Sequence, residues 1–151
     1  MKYAHTNIVC RDWKRLSEFY MNTFRCEVVP PVRRQSGDWL ASGTGVKNAS
    51  LKGVHLLLPG HGKDGPTLEI YQYDDLVDQA ETVPNMRGLG HLAFEVDNVQ
   101  ATLAELLQNG GTRFGNVTTR HLESIGELTF VYCRDPEGNL IELQSWNRTV
   151  C

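Results

Sequence analysis

The chain has 151 residues, enough for one ordinary domain with a real core, and 15 Lys+Arg against 18 Asp+Glu set its net charge at −3. That balance leaves no basic footprint for nucleic acid or an anionic membrane, and no apolar run approaches the ~20 residues of a transmembrane helix. With Met1 leading straight into Lys2-Tyr3-Ala4-His5, no secretory leader is expected, and Cys10, Cys26, Cys133 and Cys151 lack any Cys-x-x-Cys spacing. Reduced thiols in a cytoplasmic protein fit this pattern better than a disulfide frame or a thiolate zinc site.

Lys2 to Cys10 reads as a strand, with His5, Asn7 and Val9 on one face and Thr6, Ile8 and Cys10 on the other. Asp12 is the expected N-cap of a helix whose apolar face is Leu16, Phe19, Tyr20 and Phe24. Short strands are expected at Cys26–Val29, around Trp39–Ala41, at Val54–Leu58 and at Thr67–Tyr73, with loops over Arg33–Ser50 and Pro59–Pro66. Polar Asp74–Arg87, carrying Pro84-Asn85, reads as a linker.

The order then repeats. Gly90–Val96 reads as a strand and Asp97-Asn98 as an N-cap, with Val99, Leu103, Leu106 and Leu107 as a helix face closed by Asn109-Gly110-Gly111. Strands at Arg113–Thr118 and Glu127–Cys133 lead to the turn Asp135-Pro136-Glu137-Gly138 and a last strand, Leu140–Trp146. Each half thus reads strand, helix, three strands. Offsets of 86 positions between His5 and His91, and 73 between Glu69 and Glu142, differ by extra loop in the first half. The expected fold is α+β: two paired βαβββ modules, approximately 1–73 and 88–146, in a single domain over 1–151, forming a curved mixed sheet (a half-barrel) with helices outside.

Alternation assigns chemistry to one face. Glu142 sits between Leu140, Ile141 and Leu143 and shares its face with Gln144 and Trp146. Tyr71 and Tyr73 share the face of Glu69, and Ala93 and Glu95 that of His91. A lone carboxylate or imidazole in such a setting is ordinarily a solvated or satisfied residue. Four at repeat-equivalent positions point instead to convergence of His5, Glu69, His91 and Glu142 on one cavity. Asn7, Val9, Tyr71, Tyr73, Glu95, Gln144 and Trp146 are its expected substrate-binding lining. Two imidazoles and two carboxylates suit one divalent ion, Zn, Ni, Co, Mn or Fe, with room for water or substrate. His61 and His121 read as solvated, and His55, in a strand, as a weak further possibility.

Ala4-His5-Thr6, Leu68-Glu69-Ile70, Gly90-His91-Leu92-Ala93-Phe94-Glu95-Val96-Asp97-Asn98 and Asp135-Pro136-Glu137-Gly138 with Ile141-Glu142-Leu143 together carry a family likeness. Across essentially its whole length the chain resembles the glyoxalase I / bleomycin-resistance / extradiol-dioxygenase superfamily, the vicinal oxygen chelate proteins. The resemblance implies one metal per site, a small-molecule substrate and, in the glyoxalase I-like branch, a homodimer. Glu69 and the Asp-Pro-Glu-Gly turn resemble that branch, implying a metal-dependent lyase or isomerase of the lactoylglutathione lyase type. Glu142 and Glu69 would then be its acid–base pair. The alternatives are an Fe(II) extradiol-type dioxygenase using His5, His91 and Glu142, or a non-catalytic binding or resistance protein. Val9 and Tyr73 stand where the bacterial glutathione-using type carries arginine and asparagine, so glutathione is not expected to carry over unless Arg11, Arg34 or Lys47 replaces the missing donors.

Overall fold

A computed structural model describes residues 1–148; Cys151, one of the isolated cysteines, lies outside the described residues. The chain divides into two compact units, Met1–Gln79 and a second from Ala80 onward. The fold is α+β, with one mixed, open sheet in each unit.

In the first unit, β1 (His5–Val9), β2 (Glu27–Ser36), β3 (Ser50–Leu57) and β4 (Thr67–Tyr73) lie in the order β1-β4-β3-β2, with β1 parallel to β4 and the other pairs antiparallel. Helix α1 (Trp13–Phe24) begins where Asp12 caps it, its carboxylate accepting from the backbone N–H of Lys14 and Arg15. Leu16, Phe19, Tyr20 and Phe24 are buried on α1, and Ile8, Val54, Leu56, Leu68 and Ile70 are buried on the sheet face that it covers. Each such side chain contributes roughly 1.5–3 kcal/mol by leaving water.

Two expectations for this unit fail. Trp39–Ala41 is not a strand but lies inside helix α2 (Asp38–Thr44). Gly37, at φ 100°, ends the strand before it, and Leu40 is the one buried side chain of α2. A single anchor cannot display helical periodicity. Leu40 packs with Ala49, Leu51 and Tyr71, on the sheet face opposite α1. The loop expected from Arg33 to Ser50 also shrinks, since Arg33–Ser36 continues β2 against Gly53–Ser50. Register shifts between Val29 and Arg33, where Pro30 and Pro31 have no N–H to give the ladder. Further on, β4 and the Pro59–Pro66 loop fall where they were expected.

In the second unit, β5 (Leu92–Glu95) runs parallel to β9 (Leu140–Arg148), which pairs antiparallel with β8 (Gly126–Arg134). β6 (Thr112–Arg113) and β7 (Thr118–Leu122) both pair with β8. The one strand expected at Arg113–Thr118 is therefore split. Phe114 N–H and Gly115 N–H both donate to the Tyr132 carbonyl, at 3.1 and 2.9 Å, which interrupts the ladder. His121 consequently lies in β7, exposed, rather than in a loop. Helix α3 (Val99–Gln108) is capped by Asn98, whose Oδ1 accepts from Ala101 N–H, and buries Val99, Leu103 and Leu106.

The turn before β9 is knotted by Asp135. Its Oδ1 accepts from Glu137 and Asn139 N–H, each at 2.9 Å, and its Oδ2 from Asn139 Nδ2 at 2.8 Å. Burial of this carboxylate (2 % exposed) is thereby tolerated. Arg134 beside it donates to the Gly138 and Thr82 carbonyls and reaches Glu81, fastening part of the polar 74–87 segment to the second unit. Asp78, earlier in that segment, pairs with Arg11 in the first.

Candidate functional site

In the first unit the alternation of β1 and β4 turns His5 and Glu69 to the face away from α1. His5 Nδ1 lies 3.3 Å from Glu69 Oε1. In the second unit His91, just ahead of β5, holds Glu142 of β9, with Nε2 2.9 Å from Oε2. The registers match: Asn7 pairs with Glu69, Ala93 with Glu142, and each histidine lies two residues before the first member. Each half thus builds one imidazole–carboxylate pair from a histidine at or just ahead of the start of its first strand and a glutamate within its last.

The strand beside the last one in each half adds a residue that sequence alone weighs little or not at all. His55 is the cross-strand partner of Glu69, and Tyr132 that of Glu142. His55 Nε2 lies 3.1 Å from Glu69 Oε1 and 2.6 Å from Tyr71 Oη. Burial holds the His55 pKa below its usual value although the Glu69 charge pulls the other way. Tyr71 is pushed up, first by burial and then by Glu69. Tyr132 sets its ring edge-on to His91, centroids 5.0 Å apart, and is also pushed up, by burial and then by Glu142. Neither residue stands out in a linear reading because each reaches its glutamate only through strand pairing. A usable signal was an ionisable or phenolic side chain on the matching face of the preceding strand.

The expected lining is distributed unevenly. Asn7 is exposed and donates to the Glu69 carbonyl, and Val9 is exposed. Tyr71 is buried at 8 % exposure, with α2 over part of it, and half-buried Tyr73 packs against the same cluster. In the second unit Glu95 is exposed and meets Arg148 at 3.4 Å, while Gln144 and Trp146 are half-buried and bonded to each other at 3.3 Å. Phe130, cross-strand from Gln144, joins them on that face.

Among the described residues, no group of three or more His, Cys, Asp or Glu is arranged to hold a metal ion. The pairs themselves have suitable donors and spacing. Two ligands bonded at about 2.1 Å to one cation stand about 3.0–3.4 Å apart at right-angled to tetrahedral geometry. The observed N···O separations of 2.9 and 3.3 Å fall at or beside that range.

Fold and paired His–Glu strands define a two-module α+β protein with a repeated donor pair. The chain belongs to the Glyoxalase/Bleomycin resistance protein/Dioxygenase superfamily, whose family model matches residues 2–143. No curated protein matches it. Among solved structures it is similar to a glyoxalase family protein from Bacillus cereus, with TM-score 0.81 and 17 % identity, covering 97 % of this chain and 94 % of that one. It is also similar to a glyoxalase family protein from Enterococcus faecalis, with TM-score 0.57, 24 % identity and coverage of 95 % and 96 %. A third is the fosfomycin resistance protein FosX from Listeria monocytogenes, solved with Mn(II) and sulfate, with TM-score 0.53, 16 % identity and coverage of 95 % and 91 %. At these identities the likeness is one of fold. No helix among the described residues is long and apolar enough to cross a membrane.

Proposed function

We propose that the chain is a metal-dependent lyase or isomerase of the glyoxalase I type, acting on a small carbonyl compound or its thiol adduct. The observation that carries this reading is the repetition of one His–Glu pair at matching register in both halves. The ligand set we propose is His5, Glu69, His91 and Glu142, within one domain over 1–151. A divalent ion held there, one of Zn, Ni, Co, Mn or Fe, would polarise the oxygens of an α-hydroxycarbonyl group.

The chain's own residues would move the proton. Glu142 faces one imidazole, so it is the carboxylate better able to take a proton from a substrate carbon and return it to the neighbouring one. Glu69 is held by two imidazoles at a single oxygen, which suits a counterpart that keeps its position. The half-buried Phe130, Tyr132 and Trp146 would exclude water from a flat or apolar substrate body. Homodimer formation and a cytoplasmic location belong to the same proposal.

Glutathione is not the expected thiol. Val9 and Tyr73 offer no arginine or asparagine, Arg11 is committed to Asp78, and Arg34 follows Arg33 in β2 and so faces away from the Glu69 side. The deciding experiment is steady-state kinetics of the metal-loaded protein on methylglyoxal hemithioacetals and on catechols. Metal-dependent turnover of a hemithioacetal, weak for the glutathione adduct and lost in Glu142→Gln, is the expected result. Ring cleavage of a catechol without hemithioacetal turnover would replace this reading by the dioxygenase one.

A further inference from the structure

Arg33 lies on the site face of the first sheet and forms no ion pair among the described residues. Cross-strand pairing defines two neighbouring rows on that face of the first sheet. One runs Val29–His55–Glu69–Asn7; the other runs Arg33–Gly53–Tyr71–Val9. Val9 therefore stands at one end of a row whose other end is Arg33. Between Arg33 and Tyr71 the row holds only Gly53. A Cβ there would lie 1.9 Å from the Ile70 carbonyl oxygen and 2.6 Å from Tyr71 Cδ1, so the strand must carry glycine. With strands about 4.8 Å apart, the long arginine side chain can reach over that gap toward the tyrosine.

We propose that the Arg33 guanidinium holds an oxyanion of the substrate, a carboxylate or a phosphoryl group, beside Tyr71 on this face. Arg33 is half-buried, and its one hydrogen bond among the described residues goes to the Pro31 carbonyl. It forms no ion pair there with Glu69 or any other described acidic residue. A partly desolvated guanidinium with open donors is a receptor for a planar, two-oxygen anion, which it can bind through two parallel N–H groups. Arg34 cannot substitute, because it sits opposite Lys52 on the other face of the sheet. The substrate class is thereby narrowed to carbonyl compounds or thiol adducts bearing one anionic group, held from the β2 edge rather than from the Val9 end.

What the site does with such a molecule rests on the lyase reading; anion binding does not, and the test separates them. Backbone amide shifts of the metal-free full chain are followed while lactate, neutral lactamide or inorganic phosphate is added. Saturable shifts at Gly53 and Tyr71 are expected with an anion and not with lactamide. Tighter binding of lactate identifies a carboxylate, and tighter binding of phosphate a phosphoryl group. Arg33→Gln should weaken the anion about tenfold to a hundredfold, the loss of one charge-assisted contact, and Arg33→Lys should recover part of it. Unchanged unfolding midpoints of both variants show that the fold is kept. Equal response to lactamide, no response to either anion, or wild-type affinity in Arg33→Gln overturns the proposal. Anion binding through Arg33 in a protein that turns over no hemithioacetal would sink the lyase reading alone.

Discussion

The two halves place a glutamate at the same register and surround it differently. Glu69 has one oxygen facing both His5 and His55, and His55 also holds Tyr71. Glu142 has His91, with Tyr132 where the first half has His55. One half locks its carboxylate; the other leaves its carboxylate a single strong partner. Duplicated modules can keep a donor pair while one cross-strand substitution changes how firmly the acid is held. The same contrast runs through the helices: α1 buries six residues, including three aromatic rings, whereas α3 buries three.

The comparison can be broken most directly at the metal. His5→Ala and His91→Ala should each abolish stoichiometric divalent-ion binding, measured by elemental analysis after dialysis. If either variant keeps its metal, the halves do not contribute equally. Next in size, Glu142→Gln should lower kcat by roughly a hundredfold to ten-thousandfold, and Glu69→Gln by less, in steady-state assays with saturating metal. A larger loss in Glu69→Gln would reverse the assignment of roles. For stability, His55→Ala should cost about 1–3 kcal/mol in urea unfolding, because it strips a hydrogen-bond partner from both Glu69 and buried Tyr71. Tyr132→Phe, at the matching position, should cost less.

The smallest effect is a pH response with one probe in each half. Burial pushes the thiols of Cys26 and Cys133 up to about 12 from 9.0, with Asp135 adding to the second. Between those limits the unfolded chain has lost the thiol protons and the folded chain keeps them, so stability falls as pH rises from 9 toward 12. At pH 10 each thiol should account for about 1.4 kcal/mol of that loss. Cys26→Ala and Cys133→Ala should each flatten the stability curve by its own share. A curve unchanged in both would show that the thiols ionise as readily folded as unfolded.

Legibility in the sequence followed the length and regularity of each pattern. α1, α3 and β4 announce themselves through four apolar residues at helical spacing or strict alternation, and Asp12 and Asn98 cap where short acceptors should. α2 reads as a short strand because its one buried leucine has no period, and the second half of β2 reads as loop because Arg33-Arg34-Gln35-Ser36 has loop composition. The His–Glu pairs were legible through repetition. His55 is legible only as a weak possibility, and Tyr132 and Arg33 are not legible at all, because register across strands is a non-local property that no single stretch encodes.

The two prolines that shift the register of β2 also bear on how the protein behaves in a crowded solution. β2 is the last strand of its sheet, and an unpaired ladder edge invites a neighbouring chain to add a strand. Pro30 and Pro31, which lack N–H groups, break the regular run of that strand, and Arg33 and Arg34 set positive charge just beyond them. Replacing both prolines with valine would lengthen a regular, β-prone edge, and the result should be read as insolubility on concentration rather than as lost activity.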